Sequence, residues 1–491
     1  ACTVGPDFTP PGSVADELSA FVGAGKEKQQ ERGDKITRED VPGWWRNLDD
    51  PVLKKQVDEL LENNLRLKQA RARISQAWSR RTIEEGDLYP GLGANAEARR
   101  SFSPSANFTT GIPGASGAGI TRVFDNNIEA SLATTWQLDL FGRIRRAAES
   151  AEAQARATIA DKQALTQSLI AEAARRRVAI RTLQQRIELQ EELVETRKRT
   201  KELVKRRYKR GTQDVTVEDL HNTQQELGEA RAGLSELKRA LREEYNRQDV
   251  LLGRAPQARD ERDGQMLEAP EMATPSIVPA KLVDRRPDLR ADLLRTKAAN
   301  ADIGVAVADL YPDLSISASI GSQAERADNF LKTSEQMIGN IAGEVTQSLF
   351  QGGALRANID LQEAEAREQA RQYAQSVLES VEEVETALSD DTRQQQRITH
   401  LQNTLEAARA NERAARRRYE LGDISLRDML SAQTQRISAQ DSLVRARRSA
   451  WNARISLYLA LGGDWLQDDG DANKAQAKQE QKQTEDETQD G

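Results

Sequence analysis

Three short patterns each occur twice in this chain, in the same order. Asp87-Leu88-Tyr89-Pro90 returns as Asp309-Leu310-Tyr311-Pro312. Leu140-Phe141-Gly142-Arg143 returns more loosely as Leu349-Phe350-Gln351-Gly352-Gly353. Arg206-Arg207-Tyr208-Lys209-Arg210-Gly211 returns as Arg417-Arg418-Tyr419-Glu420-Leu421-Gly422. The copies lie about 210 residues apart, far beyond the roughly 20–50 residue units of a solenoid. The chain is therefore one half built twice. The markers divide it into an N-terminal arm (1–48), a first repeat (49–255), a linker (256–275), a second repeat (276–465) and a polar, acidic tail (466–491) whose composition predicts disorder.

Each half follows the same grammar. A helix runs toward the Tyr-Pro pair, where proline disfavours helical backbone in the residue before it. Alternating segments follow. Leu314, Ile316, Ala318 and Ile320 alternate with Ser315, Ser317 and Ser319. In the first half Ile128, Ala130, Leu132, Trp136, Leu138 and Leu140 share one parity, and Glu129, Ser131, Thr135, Gln137 and Asp139 the other. Period two gives a strand with one apolar and one polar face. Strands are predicted near 91–102, 124–139, 312–323 and 339–350, and Ser101–Thr121, rich in Gly, Ser, Thr and Asn, reads as a surface loop.

Beyond the second strand of each half comes a very long helix, about Arg143–Arg210 and Ala354–Leu421, with no proline and no interior glycine. In the second of them Ala370, Tyr373, Val377, Val381, Val384, Leu388, Leu401, Leu405, Ala408, Ala415 and Tyr419 fall at steps of three and four with two gaps, the signature of a coiled-coil-like seam. At 1.5 Å per residue, ~68 residues form a rod of roughly 100 Å. Glycine turns at Gly211 and Gly422 reverse the chain, and return helices end near Leu252-Gly253 and Leu461-Gly462.

Composition suits this architecture. Only 37% of the 491 residues are apolar and 4% aromatic, while 30% are charged. Such a chain cannot fill a large core but can cover the narrow seams between helices. The net charge of -7 gives no basic face for nucleic acid. Cys2 is the only cysteine, so no internal disulfide is possible, and Ala1-Cys2 is the kind of start that cleavage of a secretory signal leaves. No stretch reaches the roughly 18 apolar residues of a transmembrane helix. Membrane strands are compatible with the sequence, because their signal is weak per segment. Four strands cannot close a barrel, and open sheet edges are not tolerated in lipid, so other chains must complete them. Three copies would supply twelve strands.

Longer motifs carry a family resemblance. Trp44-Trp45 with Asp50-Pro51 and Asn63-Asn64-Leu65, then Asp139-Leu140-Phe141-Gly142-Arg143, then Asp284-Arg285-Arg286-Pro287-Asp288-Leu289-Arg290 with Ala299-Asn300-Ala301-Asp302-Ile303-Gly304, resemble the TolC-like outer-membrane efflux channels, lipoprotein subgroup. The resemblance covers about residues 2–465 in order and spacing. It implies an α+β membrane protein: a trimeric twelve-stranded outer-membrane β-barrel continued by a long periplasmic α-helical barrel. It further implies an exit duct of a tripartite pump, working beside a periplasmic adaptor and an inner-membrane transporter of the resistance-nodulation-division type. A duct for one-step (type I) protein secretion is the alternative within the family. The lipid-anchor cysteine and the Trp-Trp arm favour the pump lipoprotein. Drugs, solvents and metal ions remain equally open as cargo.

The resemblance also implies sites. Cys2 would carry covalent lipid, with Thr3 after it favouring the outer membrane. Tyr419 matches a linking tyrosine at the periplasmic tip, Asp428 an acidic ring residue, and Asp219 the acid on the other helix pair. Asp219 lies eight residues after Gly211 and Asp428 six after Gly422, so the first tip is two residues longer. Ile424 and Ser431 stand where some members carry a linking arginine and a second ring aspartate. No catalytic constellation is found, and neither a cofactor nor a metal is expected. His221 and His400 are far apart on helices and read as solvated or seam residues. Gly114, Gly117 and Gly119 lack the following helix and lysine of a phosphate loop. Asp390-Asp391 reads as an exposed acidic turn.

Overall fold

The computed structural model describes residues 3–10, 45, 50–106, 120–211, 215–257, 285–325 and 336–463, with backbone alone at 103–106 and 120–124. Each half contributes a 22-residue helix, a β-hairpin and a helical hairpin, and the first half adds a short helix before them. The first half holds α1 (Pro51–Asn63), α2 (Leu65–Gly86), β1 (Gly91–Ala106), β2 (Ile120–Leu138), α3 (Arg143–Lys209) and α4 (Val217–Leu251). The second holds α5 (Pro287–Ala308), β3 (Asp313–Ala324), β4 (Met337–Thr346), α6 (Ala354–Glu420) and α7 (Leu426–Ala460). Counterparts have equal lengths: α2 and α5 have 22 residues each, α3 and α6 67, α4 and α7 35.

Two compact units each draw on both halves. One comprises Ala1–Pro11, Arg73–Thr158 and Asp292–Gln372; the other comprises Gly12–Ala72, Ile159–Ala291 and Tyr373–Gly491.

The first unit is built on an antiparallel sheet in the order β1-β2-β3-β4. Its registers keep the period-two pattern in phase across all four strands. Ala94 lies opposite Leu132, which lies opposite Ile320; Trp136 faces Ile316, and Leu314 faces Val345. The polar parity lines up likewise, with Glu97 opposite Glu129 and Gln137 opposite Ser315. Two expectations need correction. The hairpin ladder continues through Ala106↔Ile120, into the expected loop, because backbone pairing needs no apolar side chain. The last ladder stops at Asp313↔Thr346, so Gln347–Phe350 are not strand; the next partner would be Pro312, which has no N–H to donate.

Side chains fasten the strand ends. Trp136 Nε1 donates to the Leu88 carbonyl at 2.9 Å, and Gln347 Nε2 donates to the Leu310 carbonyl at 3.4 Å. Asp139 explains the Asp-Leu-Phe-Gly-Arg pattern. Its carboxylate accepts from the backbone N–H of Ile144 and Arg145 and from Arg145 Nε, at 3.2, 3.1 and 2.9 Å, and so caps α3. Burial pushes the Asp139 carboxyl up, but the Arg145 hydrogen bond and the two N–H donors prevail, and its pKa falls below the usual value.

The second unit is held by seams. Asp50 caps α1 through Val52 and Leu53, with Pro51 at the first helical position. Trp45, Leu53 and Val57 pack on Ile170, Ala174, Val178 and Ile455. The α6–α7 seam buries Ile398 and Leu405 on Leu443, Ala446 and Ala450, and Val384 and Leu388 on Leu457. Tyr373, Val377, Val384, Leu388 and Leu405 are buried as the spacing predicts. His221 and His400 are exposed. The acidic-turn expectation at Asp390-Asp391 fails for Asp391, which is 1% exposed. It accepts two 2.8 Å bonds from Arg454, 63 residues away on α7.

Candidate functional site

Three features could carry a duct's work: the tip turns, the N-terminal arm and the outer face of the sheet. At the tips, Gly211 and Gly422 have φ of 70° and 84°, the left-handed region that closes a helix at least steric cost. Gly211 N–H returns to the Tyr208 carbonyl at 3.1 Å and Gly422 N–H to the Tyr419 carbonyl at 3.0 Å. The side chain of Tyr419 is half-buried.

Asp219 and Asp428 take the same position in the two return helices, the third residue of α4 and of α7. The two-residue difference between the tips therefore falls wholly in the turns. Each acid closes a capping box. Asp219 accepts from Thr216 N–H and Oγ1, both at 2.9 Å, while Thr216 Oγ1 accepts from Asp219 N–H at 3.2 Å. Asp428 accepts from Ser425 N–H at 3.1 Å and Oγ at 2.7 Å, and Ser425 Oγ accepts from Asp428 N–H at 3.2 Å. Within one chain these carboxylates engage their own caps rather than Tyr419. The cap bonds hold both carboxyls below their ordinary pKa: the Thr216 N–H leads for Asp219, and the Ser425 hydroxyl for Asp428. Sequence reasoning missed Arg427, whose charge acts on both acids in the same direction. Nothing in the spacing marks it, because the two helices it serves start about 210 residues apart.

Cys2 lies outside the described residues; its neighbours do not. Val4 N–H donates to the Phe141 carbonyl at 3.1 Å, just past the end of β2. Arg146, in the first turn of α3, gives 2.8 Å to Asp7 and 3.2 Å to the Val4 carbonyl. Asn300 Nδ2 donates to the Pro6 carbonyl at 3.0 Å. Gly142 has φ of 85°, and a side chain there would come within 2.7 Å of Thr3. The arm is thus seated where strand becomes helix.

On the sheet, Leu92, Leu132, Ile320, Ile341 and Val345 share the apolar face and are exposed, Ile341 at 82%. A face this apolar and this open fits lipid better than water. Among the described residues, β1 and β4 each have one edge with no paired strand. Among the described residues no helix is apolar enough to cross a membrane, and no cluster of His, Cys, Asp or Glu could hold a metal.

Comparison with known proteins accords with this geometry. The family described as "Outer membrane efflux protein" matches residues 57–254 and 278–463. The outer membrane protein OprJ of Pseudomonas aeruginosa is 29% identical over 476 residues, covering 95% of this chain and 93% of that protein. The probable efflux pump outer membrane protein TtgC of Pseudomonas putida is 27% identical over 433 residues, 88% of this chain and 87% of that protein. The structure of the outer-membrane channel OprN superposes with a TM-score of 0.79 at 30% identity, over 94% of this chain and 100% of that one. The Campylobacter jejuni CmeC outer membrane channel shares the fold, with a TM-score of 0.80 at 20% identity, over 96% and 98%. With the match spanning both repeats, and with the hairpins and long helices of a channel fold, the chain belongs to the outer membrane efflux protein family.

Proposed function

We propose that three copies of this chain form the outer-membrane exit duct of a tripartite efflux pump, passively conducting small molecules or ions from periplasm to exterior. The observation that carries this is the four-stranded sheet: one exposed apolar face, one polar face and, among the described residues, an edge without a paired strand on β1 and on β4. Lipid forbids unpaired edges, so the sheet needs neighbours, and closed symmetry supplies them. The family match and relatives named as efflux pump outer membrane proteins support the direction of transport. A duct of this kind works with a periplasmic adaptor and an inner-membrane transporter of the resistance-nodulation-division type.

Cys2 carries covalent lipid in this reading, supported by an arm seated at the strand-to-helix junction. The duct closes at the helix tips near Gly211 and Gly422. Asp219, Tyr419 and Asp428 hold it closed, and Arg427 partly neutralises the acids. A ring of Asp428 carboxylates draws cations to the constriction. The test is reconstitution: purified chain in detergent is expected to have the native mass of a trimer and to form cation-preferring channels in planar bilayers. A stable monomer that inserts and conducts alone overturns the reading.

A further inference from the structure

In the helical unit α7 packs on α3 through Ile437 and Val444 against Leu189, and on α6 through Leu443 and Ala446 against Ile398 and Leu405. Between these two neighbours α7 leaves a trough. Its main cavity, 710 Å³, is of the size that holds a small organic ligand. A second cavity of 270 Å³ adjoins it, and both share Ala387, Asp390 and Ser456. Ser449, Asn452 and Ser456 line it from α7, about 120° around that helix from Trp451, Ile455 and Tyr458, which pack in the cluster with Trp45 and α1.

The charges of the trough do not balance. Asp288, Glu379, Glu382, Glu383 and Asp390 face Arg175 and Arg286, five carboxylates against two guanidinium groups. Arg286 is already occupied by Asp288 at 2.7 Å and Glu383 at 2.6 Å. Glu379 accepts from Gln375 Nε2 at 2.9 Å. Glu382 and Asp390 are exposed and, among the described residues, have no ion-pair partner. Glu379, Glu382, Thr386 and Asp390 follow steps of three and four, so they share one face of α6. On the α3 wall Arg175 donates to Ser456 Oγ at 2.9 Å and, among the described residues, is paired with no carboxylate. Glu172, one turn before it, is held by Arg176. Burial pushes the Arg175 guanidinium down from its ordinary pKa, against the charge of Glu172.

The smaller cavity adds acceptors. Gln394 Oε1 and Asn452 Oδ1 are buried there and accept no hydrogen bond. An orphaned buried acceptor calls for a donor, and the last torsion of each side chain is soft enough to turn toward one. A single metal ion does not meet this demand, because among the described residues no three His, Cys, Asp or Glu converge to hold one. The acids are strung out instead: Glu382 and Asp390 lie about two turns apart, ~12 Å along α6. A linear amine matches that spacing, with ammonium groups at intervals and methylenes between them. Ala164, Leu459 and Ala460 supply apolar surface for the methylenes.

We infer that this trough is a binding site for linear polyamine cations, with ammonium groups on Glu382 and Asp390 and N–H donors toward Gln394 and Asn452, and that Arg175 limits the affinity from the opposite wall. The site lies wholly within one chain and is independent of whether three chains form a duct.

The test is equilibrium dialysis of the detergent-solubilised full chain against labelled spermidine at low ionic strength, with native mass and circular dichroism confirming the fold of each variant. Glu382→Gln with Asp390→Asn is expected to weaken binding about tenfold or more, since each ammonium–carboxylate bond is charge-assisted. Arg175→Gln is expected to tighten it about threefold, because the opposing charge is gone. Glu368→Gln with Glu406→Gln removes as much charge from exposed acids of α6 outside the trough and is expected to leave binding within about twofold of the parent. Asp428→Ala, at the tip, is expected to do the same. A parent chain with no saturable binding overturns the site. Equal weakening in the Glu368 and Glu406 variant overturns it too, since only diffuse negative charge would then be at work. Loss of all binding in Asp428→Ala would place the cation at the tip and overturn it likewise. Weaker binding in Arg175→Gln would mean that an anionic group sits against that wall, which overturns the cation assignment. A conducting trimer that fails these measurements overturns the site alone, whereas a monomer that passes them keeps the site and overturns the duct.

Discussion

Asp391 and Arg454 are the most deeply buried charges joined across the α6–α7 seam, with side chains 2% and 3% exposed. Asp391 leans on Arg454, which also interacts with Tyr458, because a lone charge at that depth has no water to return to. Asp391→Ala is therefore expected to destabilise the helical unit by about 3–5 kcal/mol, and Asp391→Leu with Arg454→Met to recover most of it. Chemical denaturation of the detergent-solubilised protein measures both, and equal loss in the single and double variants would contradict the pairing. Asp50 offers a pH-dependent counterpart. Burial raises its carboxyl, but the Arg177 hydrogen bond at 2.7 Å and the helix-cap N–H groups outweigh this and lower it. A carboxyl lowered in the folded state contributes stability above its unfolded pKa of about 3.9 and loses it as pH falls through the folded value. Asp50→Asn is expected to flatten the acid limb of thermal stability below about pH 4 while lowering stability at pH 7; unchanged slope would refute it. Neither pair was legible in the sequence. Asp391 lies 63 residues from its partner and Asp50 127 from its own, and the adjacent acids of Asp390-Asp391 look like any solvated turn. What decides burial there is which helix face the other hairpin covers, and local spacing does not contain that.

At the level of elements the sequence carries much more, because period and punctuation act locally. The long helices start at the expected Arg143 and Ala354 and end at Lys209 and Glu420, one residue inside expectation. Runs of that length with no proline, no interior glycine and apolar steps of three and four favour helix, which packing of the apolar stripe then stabilises. Strand existence and parity were readable from alternation, but strand ends were not: the β1–β2 hairpin outran its apolar residues, and Pro312 cut the last ladder short. The capping boxes Thr216–Asp219 and Ser425–Asp428 were visible as Thr-x-x-Asp and Ser-x-x-Asp spacings, yet the acids drew attention as a ring rather than as caps. Their place in the caps shapes the test of the proposed gate. Tyr419→Phe with Asp219→Ala is expected to raise single-channel conductance, and Asp428→Ala to weaken cation preference and block by multivalent cations. Ser425→Ala and Thr216→Val break the caps and keep the charges. If the charges hold the gate, these two variants retain the cation preference that Asp428→Ala loses. If they match Asp428→Ala in conductance and selectivity, the tips close through helix-end order alone.

For the whole molecule, the proposed anchoring and the spanning would fall to different segments. Spanning belongs to a sheet whose apolar face and open edges demand lipid and neighbours. Anchoring would belong to the arm, whose residues 3–7 are tied to the end of β2 and the start of α3 by Val4, Asp7 and the Arg146 clamp. Lipid on Cys2 adds about 0.8 kcal/mol per buried CH₂, a gain that holds the arm only if the acyl chains and the sheet reach the same leaflet. The seat of Thr3 against Gly142, one residue before α3, sets that depth. Two variants separate the contributions. Cys2→Ser is expected to abolish labelled palmitate incorporation while the protein still fractionates with the outer membrane as a heat-modifiable trimer, because barrel closure does not involve the arm. Arg146→Met, which keeps Cys2, is expected to retain palmitate but to expose residues 3–10 to protease, because only the clamp is lost. Equal labelling of Cys2→Ser would exclude Cys2 as the acylated residue. Loss of the trimer in Cys2→Ser, with the Arg146→Met trimer intact, would mean that the lipid itself drives assembly and that the sheet edges do not suffice to bring three chains together.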